Sequence, residues 1–142
     1  MKITSQLKLK TIIRLLMILP LFYFSSCTED NSSTPTIDDR DKFVGKWSCK
    51  ETISGAFQIF EIKISKIGAE DSINIENFSN YGTTADAIGL ISGNSLTIPS
   101  QNIGVSSVPV GGTGIYSGNG TSEKITMNYS SDGSSATAIC TK

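Results

Sequence analysis

From residue 43 to the end of the chain, hydrophobic and polar residues alternate in short runs that Gly, Asn, Asp and Ser separate. In the second run, Phe60 and Ile62 fall on one side, and Glu61 and Lys63 fall on the other. A period of two residues is typical of β-strands that bury one face. The pattern predicts eight strands, over residues 46–53, 57–67, 72–78, 85–91, 95–101, 114–118, 123–130 and 136–141.

Two dipeptides indicate tight turns between these strands. Gly93-Asn94 separates the fourth strand from the fifth, and Asp132-Gly133 separates the seventh from the eighth. Both dipeptides favour the positive φ angles that two-residue hairpins need. Glycine clusters at 111–114 and 118–120 lack the strand-then-helix context of a phosphate site, so we expect turns, bulges or a flexible barrel mouth there.

Eight short strands joined by turns predict an all-β domain that folds as a small antiparallel up-and-down β-barrel. Closure into a barrel removes the edge strands that would otherwise invite aggregation. A β-sandwich built from the same strands is the alternative, because alternation alone does not decide whether the sheet closes.

The first 26 residues follow a different pattern. Four basic residues come first, and they are Lys2, Lys8, Lys10 and Arg14. An apolar run over residues 15–24 and two serines then precede Cys27. This order predicts a signal peptide, with an N-terminal signal helix, over residues 1–26. The apolar run is shorter than the roughly 20 residues that a membrane-spanning helix needs.

Residues 27–42 are polar and acidic, with few apolar side chains. Such a segment cannot bury enough surface to order itself, so we expect a flexible tether over 27–42. The remaining residues, 43–142, number about 100, which is close to the commonest size of a single domain.

Phe24-Ser25-Ser26-Cys27 resembles the lipobox of bacterial lipoproteins. The resemblance implies that Cys27 becomes the first residue of the mature chain and carries acyl groups such as palmitate. It further implies attachment to the outer membrane, on the periplasmic or the cell-surface face. Glu29-Asp30 resembles the acidic export signal of surface lipoproteins in Bacteroidetes. A soluble secreted protein with an incidental cysteine is the alternative.

Removal of the signal changes the net charge from −1 to −5, because the mature chain keeps eight basic and 13 acidic residues. Nucleic-acid affinity depends mostly on basic residues that neutralise phosphates, so nucleic acid is excluded as a partner. The chain contains no His, the residue most often used in acid–base catalysis at neutral pH. Glu61 and Glu76 are expected to be solvated, and we predict no enzymatic activity and no cofactor.

Once Cys27 carries the anchor, Cys49 and Cys140 remain, 91 residues apart. An oxidising compartment favours a disulfide between them, and a closed barrel would make the first and last strands neighbours. Two free buried thiols are the alternative. A metal site is not predicted, because the chain has neither His nor a further cysteine pair.

Gly45-Lys-Trp47, at the start of the first strand, resembles the Gly-x-Trp signature of the lipocalin/calycin superfamily. The resemblance implies that Trp47 plugs the closed end of a barrel and that Gly45 permits the bend into the first strand. A longer pattern is similar to small Bacteroidetes lipoproteins with a lipocalin-like domain, at residues 41–47, 94–101 and 114–116. The chain is shorter than a full lipocalin and lacks its long C-terminal helix.

These resemblances imply a lipid-anchored lipoprotein of the cell envelope, with a lipocalin-like domain that holds a small apolar ligand. The alternative is a non-catalytic structural or protein-interaction module of the outer membrane with a filled core. Barrels of about eight strands have room for packed side chains or for one small ligand. The contents of the interior therefore distinguish these two functions.

Overall fold

A computed structural model describes residues 37–68 and 71–142. The predicted signal peptide, Cys27 and most of the predicted tether lie outside the described residues. Within the described ranges, no helix is long and apolar enough to cross a membrane. Eight strands follow one another along the chain: β1 Gly45–Ile53, β2 Ala56–Lys66, β3 Ser72–Glu76, β4 Ala87–Ser92, β5 Ser95–Ile103, β6 Val108–Gly118, β7 Glu123–Ser131 and β8 Ser134–Thr141.

Each strand pairs antiparallel with the next, and β8 pairs with β1, which closes the sheet into an up-and-down barrel. The closing ladder runs from Ser48 opposite Thr141 to Ile53 opposite Ala136. The predicted all-β antiparallel barrel of eight strands is therefore confirmed, and the sandwich alternative is wrong. Gly93, Asp132 and Gly133 have positive φ angles in the tight turns predicted at these positions.

The largest difference from the sequence prediction concerns β6, which begins at Val108 rather than at residue 114. The glycines at 111–114 are not turn residues, since Gly112 and Gly114 pair with both β5 and β7, and Gly111 pairs with β7. A Cβ atom on Gly112 would lie 2.4 Å from Cβ of Tyr129, and one on Gly114 would lie 3.0 Å from Cγ of Met127. These glycines leave the space that the neighbouring side chains fill. The bulge expected in this region lies on β5 instead, between Ile98 and Gln101.

A second difference lies at the end of the segment predicted to be a tether, where Asp39–Lys42 form a 3-10 helix. Arg40 donates hydrogen bonds to the carbonyls of Ile67 and Ser72, at the turn between β2 and β3. Lys66 forms ion pairs with Asp38 at 2.8 Å and with Asp41 at 2.6 Å. Polar contacts order this segment, whereas the sequence prediction considered only its lack of apolar surface.

Side chains fill the interior of the barrel. Its large, fully buried members include Trp47, Ile62, Leu96 and Met127. A Cβ atom on Gly89 would lie 2.6 Å from Cδ1 of Leu96, so this position has no room for even a methyl group without a shift. Together with the glycines of β6, this packing leaves the centre of the barrel occupied by protein atoms.

Candidate functional site

The two ends of the barrel are closed in different ways. At the end where β1 begins, the indole N–H of Trp47 donates a 2.7 Å hydrogen bond to the carbonyl of Phe43. The ring of Tyr116 lies edge-on to Trp47, and Nζ of Lys142 lies 4.4 Å from the centre of the indole ring. Gly45 has a φ of 128°, which a residue with a side chain rarely adopts. Trp47 and its neighbours thus cover the end of the barrel where β1 begins, and Gly45 supplies the unusual backbone conformation at the first residue of β1.

The opposite end holds a carboxylate that the sequence analysis missed. Glu51 of β1 is completely buried, at 0% exposure. Its carboxylate accepts hydrogen bonds from the hydroxyl of Tyr129, from Oγ of Ser79 at 2.7 Å and from the amide of Gln58. Buried polar groups need such hydrogen bonds. The signal was present in the sequence, since position 51 shares the inward side of Trp47 and Cys49.

Hydroxyl groups connect this carboxylate to the surface. Oγ of Ser79 lies 3.2 Å from Oγ of Ser131, which lies 3.3 Å from the hydroxyl of Tyr81. Tyr81 is 43% exposed, whereas Ser79 and Ser131 are buried.

Burial, together with the hydrogen bond to the Glu51 carboxylate, raises the pKa of Tyr129 far above its usual value. Tyr129 therefore stays protonated and keeps donating to Glu51 at neutral pH.

The connection between β3 and β4 plugs this end of the barrel. It contains a second, short 3-10 helix, Phe78–Asn80, whose Phe78 ring lies 4.7 Å from that of Tyr129. Asn77, Ser79 and Asn80 have φ angles of 60°, 53° and 62°, which are uncommon for residues with side chains. The contacts of Phe78 and Ser79 inside the barrel stabilise this conformation. We call residues 77–86 the plug loop.

Beside the plug loop, the ladder between β2 and β3 covers only part of β2. It joins residues 63–66 to residues 73–76, so within the described chain no strand pairs with residues 57–61 on this side. Amide groups of the plug loop lie there instead: Asn77 donates a 2.8 Å hydrogen bond to the carbonyl of Glu61, and Asn80 donates one of 2.9 Å to the side chain of Gln58. A groove of about 580 Å³ lies between residues 60–63 of β2 and the plug loop. We call residues 57–61 the free edge of β2.

Apolar side chains protrude from the outer surface next to this edge. Phe57 and Ile59 are 66% and 67% exposed, and Ile139 on β8 is 46% exposed. Ile59 lies opposite Lys50 of β1, which lies opposite Ile139. The Nζ atom of Lys50 lies 4.9 Å from the centre of the Phe57 ring. We call these four residues the outer patch, since they form one continuous surface across three strands.

The structure brings together one of the predicted pairs of site residues. Cys49 and Cys140 lie directly opposite each other on β1 and β8, at disulfide-bonding distance, which is the pairing expected from the sequence. Glu61 and Glu76 lie on the outer surface, where they form ion pairs with Lys46 and Lys63. Cys27, the predicted lipidation site, lies outside the described residues.

The geometry defines a closed, eight-stranded antiparallel β-barrel protein with a filled interior. The sequence matches no protein-family profile and no curated protein. Solved structures similar to this chain include a redesigned β-barrel, with a TM-score of 0.52 and 12% identity over 74% of this chain and 95% of that one. A candidate outer membrane protein from Bacteroides fragilis has a TM-score of 0.46 and 13% identity over 73% of this chain and 52% of that one. At these identities the redesigned barrel supports the fold alone.

Proposed function

We propose that the protein is a lipid-anchored, non-catalytic lipoprotein of the bacterial outer membrane, whose lipocalin-like barrel binds another protein through its outer surface. The observation that carries the proposal is a filled interior combined with exposed apolar side chains outside. Positions such as Gly89 and Gly114 leave no room beside Leu96 and Met127. A small apolar ligand would need that space, so the interaction role has the better support of the two functions considered from the sequence.

The membrane anchor rests on the lipobox resemblance around Cys27. Cells that express the full chain should incorporate radiolabelled palmitate into the protein, and the Cys27→Ser variant should lose the label. Cys49→Ser is the matched control, since it removes a cysteine of the barrel and should keep the label. Label that persists in Cys27→Ser would disprove the anchor.

The interaction role is tested by crosslinking in the same cells. A reproducible complex of defined mass should form around the wild-type protein, and purified protein should carry no cell-derived small molecule in native mass spectrometry. A protein that stays monomeric after crosslinking contradicts the interaction role. A stoichiometric apolar ligand in the mass spectrum would instead restore the ligand-binding function.

A further inference from the structure

We propose that the free edge of β2 binds an extended segment of a partner protein, which adds a strand to the barrel beside residues 57–61. The inference rests on the proposed function and names the chemistry of the partner. That partner presents about five residues in β conformation, with apolar side chains at alternate positions and an acidic side chain that reaches Lys50. Four observations support this site: the direction of the main-chain groups, the incomplete cover, the exposed side chains and the charge.

The main chain of the free edge is oriented for strand addition. The carbonyl of Glu61 faces the groove, because it accepts a hydrogen bond from Asn77. Alternate residues of a strand direct their main-chain N–H and C=O groups to the same side, so those of Phe57 and Ile59 also point away from β1, toward the unpaired side of β2. A peptide in extended conformation offers donors and acceptors at the matching spacing.

The cover over this edge is weaker than the cover that the same barrel uses elsewhere. On β4, the side-chain amide of Gln101 takes the place of a paired strand at Ile88, since it both accepts from the N–H of Ile88 and donates to its C=O, each at 2.8 Å. On the free edge of β2, Asn77 donates a hydrogen bond to one main-chain carbonyl, and Asn80 donates only to the side chain of Gln58. A peptide strand would therefore gain hydrogen bonds at this edge.

The side chains of the free edge also favour pairing. Natural proteins commonly protect edge strands with charged residues or proline, because an open edge with β-branched and aromatic residues recruits other strands. Here Phe57 and Ile59 protrude from the edge and are about two-thirds exposed. Apolar residues at alternate positions of an added strand would pack beside them.

Charge selects an acidic partner. Lys50 is the one charged member of the outer patch, and no carboxylate of the described residues lies within ion-pair distance of it. Its Nζ atom rests over the Phe57 ring, at the margin of the free edge. An acidic side chain on the added strand can reach this ammonium group, whereas a basic one would be repelled.

The first test measures binding of the peptide acetyl-Val-Thr-Val-Thr-Glu-Thr-amide, whose Val and Glu side chains project from the same face of a strand, to the protein purified from cells that express the full chain. A matched peptide carries N-methyl groups on alternate residues, which removes the donors that face β2 and keeps the side chains. We expect the methylated peptide to bind at least tenfold more weakly, and the parent peptide to slow hydrogen exchange at the Ile59 amide. Equal binding of both peptides, or no binding of either at millimolar concentration, overturns the inference.

Variants of the protein provide the second test. Ile59→Pro removes the N–H on the unpaired side of β2 and leaves the ladder with β1 intact, and Ile59→Thr is the matched control that keeps this N–H. Binding should fall at least tenfold in Ile59→Pro relative to Ile59→Thr. If Ile59→Pro does not fold, the N-methyl comparison on the wild-type protein still decides. Lys50→Glu should weaken binding severalfold, and a peptide with Lys in place of Glu should restore it; no change with either peptide contradicts the charge argument.

A third test separates this inference from the proposed function. Benzoylphenylalanine is substituted for Ile59 in one strain and for Ile115, an exposed residue of β6 four strands away, in another. Crosslinks to a different protein at position 59 that exceed those at position 115 support the inference. Crosslinks at position 115 alone overturn it and leave the interaction role intact, whereas crosslinks at neither position contradict the interaction role itself. A crosslink between two copies of this chain would overturn the inference of a different partner protein and would identify a second copy as the binding partner.

Discussion

The hydroxyl of Ser79 in the plug loop donates a 2.7 Å hydrogen bond to the buried carboxylate of Glu51 on β1. This contact joins the plug loop to the interior of the barrel. Among the described residues Glu51 forms no ion pair, and hydroxyl and amide donors satisfy the oxygens of its buried side chain. The plug loop is therefore held by polar contacts inside the barrel as well as by the burial of Phe78.

We expect Ser79→Ala to lower the free energy of unfolding by about 1–3 kcal/mol, because the buried side chain of Glu51 loses one of its hydrogen-bond donors. Urea denaturation monitored by tryptophan fluorescence would measure the change. Ser54→Ala is the matched control, since Ser54 is exposed and has a φ of 50°, close to the 53° of Ser79. A loss of equal size in both variants would mean that the backbone conformation, not the bond to Glu51, is responsible.

The ion pairs that order the first 3-10 helix predict an acid-sensitive contribution to stability. Hydrogen bonds from Arg40 and then from Lys66 lower the pKa of Asp38 far below its ordinary value of 3.8. Because the pKa is lower in the folded state, this contribution is complete above about pH 4 and is lost as the pH falls toward the lowered value. Asp38→Asn should melt at a lower temperature than the wild type near pH 6, and the difference should shrink toward about pH 2.

The control for this experiment is Asp86→Asn, which removes an exposed carboxylate outside this group of ion pairs. Its melting temperature should stay close to that of the wild type at every pH. If Asp38→Asn and Asp86→Asn follow the same pH curve, the ion pairs of Asp38 do not stabilise the folded state.

The cysteine pair closes a loop across nearly the whole barrel. Replacement of both cysteines by alanine should lower the free energy of unfolding by roughly 3–5 kcal/mol, since the chain-entropy model assigns about this much to a loop of 91 residues. Guanidinium denaturation of the double variant and of the reduced wild type should give similar midpoints. Mass spectrometry that detects two free thiols in the unreduced protein would refute the pairing of Cys49 with Cys140.

The filled interior predicts that a small addition at Gly114 is destabilising. Gly114→Ala should cost about 1–3 kcal/mol, because its methyl group would lie 3.0 Å from Cγ of Met127. In a Met127→Ala background the added methyl should cost much less, and a double-mutant cycle measures this coupling. Additive effects would mean that the interior has spare space, which would favour a ligand cavity over the interaction role.

Local patterns in the sequence determined most of the fold. Alternation predicted β1 within one residue of its observed bounds, Gly45–Ile53, because the pleat of a strand places successive side chains on opposite faces. Alternation did not decide whether the sheet closes, and the barrel was favoured over the sandwich because closure removes edge strands and makes Cys49 and Cys140 neighbours. Alternation failed over the first half of β6, since glycines carry no side chain to reveal which face is buried.

The tertiary structure alone decided which features form a site. The inward position of Glu51 could be inferred from β1, but its donors Ser79 and Tyr129 lie 28 and 78 residues further along the chain. Likewise, the free edge of β2 exists because β3 is shorter than β2, and only the pairing of the two strands reveals the mismatch. The sequence sets the local period of each strand, whereas hydrogen-bond partners and exposed edges depend on which distant segments pack together.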